Sequence, residues 1–282
     1  MYIFDFLKNL FRKANIGLIV YLLLNVTLLF LIFGNENFVA LLVVLAFYLI
    51  SLATALSPIG ENLLRKQTGS REIQNESLKK RIDILFNRVY QRASEKDPKL
   101  PNDIKIFVND DKMPNAFAVG RKTICVTEGL IDLPDNEIEA ILAHEFAHLS
   151  HKDTDILLII TVGNLLVMGF LVLDRWLSNL FRISSKKHKN RSKNNDIIGD
   201  FLMWVWIWIG LVLTRYSSRK NEFEADHFAS EIGYGRDLAN ALERLSGTEP
   251  QSRLLRSLYA SHPKSQERIC KLRDSKIEYA SV

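Results

Sequence analysis

Two apolar runs, Asn15 to Phe33 and Phe38 to Leu56, constrain this chain more than any other stretch. Each is about 19 residues long, which at ~1.5 Å per residue matches a hydrocarbon core of ~30 Å. Only Gly34-Asn35-Glu36-Asn37 separates them, so a helical hairpin is expected. The first run is too long for a cleaved signal peptide, and a second span follows at once. Lys8, Arg12 and Lys13 precede the pair and Arg65, Lys66 and Arg71 follow it, while the turn has neither Lys nor Arg. Positive residues stay on the cytoplasmic side. That places both ends of the hairpin, and the body after it, in the cytoplasm at the cell (inner) membrane. The same flanks account for the net charge of +5 without invoking nucleic acid.

A second, weaker pair of apolar blocks runs from Ile156 to Leu173 and from Ile197 to Thr214. Asn164 interrupts one, and Asp200 shortens the other. The loop between them carries Arg175, Arg182, Lys186, Lys187, Lys189, Arg191 and Lys193. A spanning pair would carry all seven across, against the charge rule. A pair lying on the cytoplasmic leaflet would instead bring them to anionic lipid. The expectation is a membrane-associated hairpin that returns the chain to the side it left, with both arrangements open.

The rest reads as a charged globular body. Residues 72–93 form an amphipathic helix with Leu78, Ile82, Leu85, Phe86 and Val89 on one side. Ile104 to Val108 is a short strand, and Phe117 to Val126 a hairpin turning at Gly120-Arg121. Helices are expected at 135–151, Arg219 to Ile232, Arg236 to Leu245 and Lys264 to Leu272. Cys125 and Cys270, outside any C-x-x-C spacing, read as ordinary buried thiols. The fold class is therefore membrane-anchored and mainly α with a small β-sheet. Residues 1–58 form the transmembrane hairpin and 59–155 the first part of the soluble domain. Residues 156–214 form the second apolar hairpin, and 215–282 the C-terminal helical part.

The helix at 135–151 carries the chemistry. His144-Glu145-Phe146-Ala147-His148 is an H-E-x-x-H sequence. Imidazoles four residues apart share one helix face and can reach one metal ion, with Glu145 beside it to take a proton from water. A catalytic zinc needs a third protein ligand and an open position. His151 is a poor candidate, because seven helical residues put it about 10.5 Å from His144 along the axis. The metzincin spacing fails as well, since His151 and Thr154 occupy its Gly and His positions. A carboxylate from another helix remains, and Glu222 and Asp226, one turn apart with Ala225 between, are the best placed. Glu224 points away from both, onto a solvated face.

Four motifs in this order resemble the HtpX-type membrane zinc peptidases, relatives of the CAAX prenyl proteases. They are Asn115-Ala116-Phe117-Ala118; HEFAH followed by Asp153-Thr154; Glu222-Phe223-Glu224-Ala225-Asp226; and Ser261-His262-Pro263 with Arg268. The resemblance covers nearly the whole chain, including the layout of apolar blocks, and departs mainly in the basic loop. It implies a gluzincin-like domain with one Zn2+ held by His144, His148 and Glu222, and Asp226 behind the ligands. It also implies that Asn115, Ala116, Phe117 and Ala118 begin an edge strand holding the substrate backbone, and that His262 sits near the developing oxyanion. Arg268 either pairs with Asp226 or lies on the surface.

The expected activity is endoproteolysis, with Glu145 and His262 catalytic. By the resemblance the substrates are misfolded or damaged membrane proteins, in membrane-protein quality control under stress. The expected partners are those proteins and the lipid bilayer, with no nucleic acid and the oligomeric state open. A CAAX-type processing peptidase and a non-cutting zinc protein that binds clients are the alternatives.

Overall fold

A computed structural model describes residues 6–8, 10, 16–33, 38–163, 220–246 and 265–279. The helical hairpin consists of α1 (Ile16–Phe33) and α2 (Phe38–Ala55). Ser57 then caps α3 (Pro58–Gln67) by accepting from the Ile59 and Gly60 N–H groups, with Pro58 preset for the first turn. A Cβ at Gly60 would lie 2.1 Å from the Ala55 carbonyl oxygen, so only glycine lets the two helices meet this closely. No single described helix is long and apolar enough to cross a membrane; Leu41–Ala55 and Pro58–Gln67 pass that test together, bent by 75°. Large apolar side chains along both hairpin helices are exposed, among them Leu23, Phe30, Val43 and Leu49.

The body begins with α4 (Glu76–Lys96). It starts later than the sequence expectation of residue 72, because Asn75 caps it and Arg71 instead bridges to Val108 of the sheet. Three strands follow: β1 (Lys105–Asn109), β2 (Ala116–Val119) and β3 (Thr123–Thr127). They lie in the order β1-β3-β2, with β1 parallel and β2 antiparallel to β3. Next come α5 (Glu128–Ile131), α6 (Asp135–His151) and α7 (Thr154–Leu158), the last running into a π-helical turn at Ile159–Gly163. Helices α8 (220–231), α9 (Gly235–Leu245) and α10 (Ser265–Tyr279) complete the described chain.

The sheet is buried on both faces, which explains strands apolar at nearly every position. Val108, Ala116, Ala118, Ile124 and Val126 belong to the main core with α4, α6, α8, α9 and α10. Alternate residues Phe107, Phe117, Val119 and Cys125 pack the other way, against Ala55 at the end of α2, Leu64 of α3, and Leu158 and Val162 at the start of the third apolar block. Phe86, Tyr90 and Phe146 stack between α4 and α6.

Mostly helical with a small mixed sheet, the fold agrees with the sequence reading at this level. One expectation is corrected: Cys270 is exposed, because it lies on the outer side of α10 while its neighbours Arg268 and Ile269 are buried. Cys125 is buried as expected. The turn at 34–37, the basic loop, the fourth apolar block, the end of the third and His262 lie outside the described residues.

Candidate metal centre

The main ligand helix is α6, buried along most of its length. It extends over the residues expected and ends at Lys152, which turns left-handed at φ 62°. Lys152 is the one non-glycine described residue with positive φ, and its backbone N–H reaches back to the carbonyls of His148 and Leu149. That closes the helix without the usual glycine.

His144 and His148 stand edge to face with Nε2 atoms 3.1 Å apart. Glu222 arrives from α8, its Oε2 3.4 Å from His144 Nε2 and its Oε1 3.4 Å from His148 Nε2. All three residues are buried, and one ligand atom from each fits within 4.8 Å of the others. Ligands about 2.0–2.1 Å from a tetrahedral zinc stand about 3.3–3.4 Å from one another, so the donors fit that ion in number, chemistry and spacing.

The far side of each imidazole is also engaged. Asp226 Oδ1 lies 3.0 Å from His144 Nδ1, and Asp153 Oδ2 lies 3.1 Å from His148 Nδ1. A carboxylate there fixes the ring and leaves Nε2 as the ligand. Arg268, from α10, is only 3% exposed. It grips Asp226 with two bonds, Nε to Oδ2 at 2.7 Å and Nη2 to Oδ1 at 2.6 Å, and its Nη1 lies 2.9 Å from Glu222 Oε2. This settles the choice left open for Arg268 in favour of the buried pair. Burial pulls its pKa down, but Glu222 and Asp226 together drive it up. Burial lowers both histidine pKa values as well, and for His144 so does Arg268. Hydrogen bonds to Asp226 and Glu222 for His144, and to Asp153 and Glu222 for His148, still raise both above the usual value. These carboxylates favour positive charge at the spot where the donors converge.

Glu145 is buried, and its Oε2 accepts the Ala118 N–H at 2.8 Å. This contact follows from the register. Asn115 accepts the Thr127 N–H at 2.9 Å, and strand β2 then alternates. The backbone groups of Ala116 and Ala118 therefore point off the sheet edge, toward α6. The expected strand thus lies at an edge, beside the proposed base. His151 ends the helix, its ring against Phe228 rather than near the donors. Glu224 is half-buried, 3.5 Å from Lys220.

Sequence reasoning quoted Asp153 in the second motif but gave it no role, missing its contact with His148. Five residues after His148 on a straight helix, it would face elsewhere; the left-handed Lys152 swings it back, and no glycine signals that turn. It also missed a buried group around the β2–β3 turn, made by Glu61, Arg121 and Asp155. Read singly, these are ordinary surface charges.

Residues 74–276 match the family described as Peptidase family M48. The chain is 29% identical over 197 residues to a "Protease HtpX homolog" of Dictyoglomus thermophilum, covering 60% of this chain and 62% of that protein. It is 31% identical over 197 residues to a "Protease HtpX" of Legionella pneumophila, covering 60% and 69%. Among solved structures, that of S. mikatae Ste24p aligns with 23% identity and a TM-score of 0.45, over 96% of this chain and 65% of its own.

Proposed function

This chain belongs to peptidase family M48, and we propose that it is a membrane-anchored zinc endopeptidase acting on misfolded or damaged membrane proteins. The observation that carries this reading is the convergence of His144, His148 and Glu222 next to Glu145. These three residues would hold the ion. When bound, zinc supplies Lewis acidity, acidifying a water from a pKa of ~15.7 towards ~7 and polarising the scissile carbonyl.

The chain's own residues do the rest. A substrate segment adds to the sheet beside β2, pairing with the backbone groups of Ala116 and the carbonyl of Ala118 at that edge, while the Ala118 N–H stays with Glu145. Glu145 takes the proton of the attacking water and passes it to the leaving amine. Asp226 and Asp153 keep the imidazoles in place, and Arg268 holds Asp226 and Glu222. His262 is assigned to the oxyanion side.

Strand pairing reads backbone more than side chains, which suits clients without a common sequence. The exposed apolar faces of α1 and α2 and the positive flanks support an inner-membrane anchor with the body in the cytoplasm. The test uses full-length protein in detergent with casein as substrate, with zinc and with chelator. Glu145→Gln should keep one zinc per chain and lose cleavage by a factor of about 10² to 10⁴. Turnover like wild type in that variant, or a chelator-insensitive reaction, defeats the mechanism.

A further inference from the structure

Three consecutive residues just past the metal helix, Asp153, Thr154 and Asp155, each make a defined side-chain contact. Asp153 holds the His148 ring. Thr154 Oγ1 donates to the carbonyl of Gly120, and Asp155 takes the Arg121 guanidinium with both oxygens, Nε at 3.2 Å and Nη2 at 2.7 Å. Gly120 and Arg121 form the turn by which β2 leaves its edge position. A single short segment therefore touches a metal ligand and the end of the strand beside it.

The other side of the turn is held as firmly. Glu61, on α3, accepts the Arg121 and Lys122 N–H groups, each at 3.2 Å, and the Thr123 hydroxyl at 2.5 Å. Gly120 sits at φ +60°, and a Cβ there would fall 2.4 Å from the Glu61 carboxylate. Arg121, Asp155 and Glu61 are all buried. A buried ion pair is a poor source of net stability, since apolar side chains of the same volume do as well. What it supplies is one fixed arrangement. Here that arrangement governs which backbone groups of β2 face α6, because a slip by one residue would exchange Ala118 for its neighbours and break the bond to Glu145.

We infer that Arg121 and Asp155, supported by Thr154 and Glu61, are positioning residues that hold the substrate-pairing strand in register with the metal ligands. The inference rests on the peptidase reading above, and it concerns where and how tightly a substrate docks rather than the bond-breaking step. Loosening the turn weakens strand addition and lets the polypeptide seat in neighbouring registers.

The test uses full-length, zinc-loaded protein and variants Arg121→Lys, Asp155→Asn and Thr154→Val, the last removing a single hydroxyl contact in case Asp155→Asn does not fold. Zinc content, kcat and KM on an extended peptide, and the cut positions in casein by mass spectrometry are read for each. Zinc should stay at the wild-type level. KM should rise about tenfold to a hundredfold with kcat within about threefold, as expected when ground-state docking is lost. The cuts should spread to adjacent bonds. Zinc-loaded variants with wild-type KM and cut positions would overturn the inference, as would loss of zinc in parallel with activity, which marks a purely structural role. A wild-type protein that leaves casein intact removes the peptidase reading itself, and this inference with it.

Discussion

Replacing Arg268 by alanine would expose how charge is balanced behind the metal ligands. The side chain is buried and bonds two carboxylates, Asp226 and Glu222, that are themselves 4% and 2% exposed. Truncation removes that cation from both and leaves them only the imidazoles of His144 and His148. Removing one partner of a buried ion pair costs about 3–5 kcal/mol. For a domain of this size each kcal/mol moves the melting temperature by about 2–4 °C, so zinc-free Arg268→Ala should melt about 6–20 °C below wild type. The gap should narrow with saturating zinc, because the ion supplies positive charge to Glu222 but not to Asp226. Adding Asp226→Asn should recover part of the loss, since the amide needs no counter-charge. Arg268→Lys should fall between, keeping the charge without the planar fork. Thermal melting in detergent, with zinc and with chelator, measures all four proteins. An Arg268→Ala variant within about 2 °C of wild type in both states would refute this account, because that shift is worth at most about 1 kcal/mol.

Glu222→Ala should lose bound zinc while α6 stays folded, read by metal analysis and circular dichroism; full zinc content would remove Glu222 from the ligand set. Protons compete with zinc for His144 and His148, whose pKa values are raised above 6.5, so zinc loading should fall as pH drops through that raised range. The zinc-free protein should behave in the opposite sense. A raised folded pKa stabilises below the unfolded value and is lost as pH rises through the folded one, so its melting temperature should decline toward alkaline pH. Gly120→Ala puts a Cβ into the Glu61 carboxylate at positive φ and should cost on the order of 1–3 kcal/mol, read by denaturant unfolding of the zinc-loaded protein.

Local sequence signals revealed the pieces on which the site is built. The Pro134-Asp135 start and the apolar face of α6 set its limits, and Gly120-Arg121 marked the hairpin. Helical spacing put Glu222 and Asp226 on one face. Resemblance then singled out Glu222 as a ligand, and the structure brings it to the histidines. What was hidden depends on long-range partners. Arg268 is 42 residues from Asp226 and 124 from His144, so nothing local distinguishes it from a surface arginine. Asp153 was hidden by the backbone reversal at Lys152. The parallel pairing of β1 with β3 comes from packing on both faces of the sheet, and short apolar strands do not encode their neighbours.

The outward side of α10 has a practical consequence. The chain contains two thiols; Cys125 is sealed in the core, where burial pushes its pKa up to about 12, and Cys270 stands in solvent two positions past Arg268. A maleimide dye would therefore attach at one place on the unaltered protein. A fluorophore on Cys270 would place a single optical reporter two positions from the arginine that holds Asp226 and Glu222.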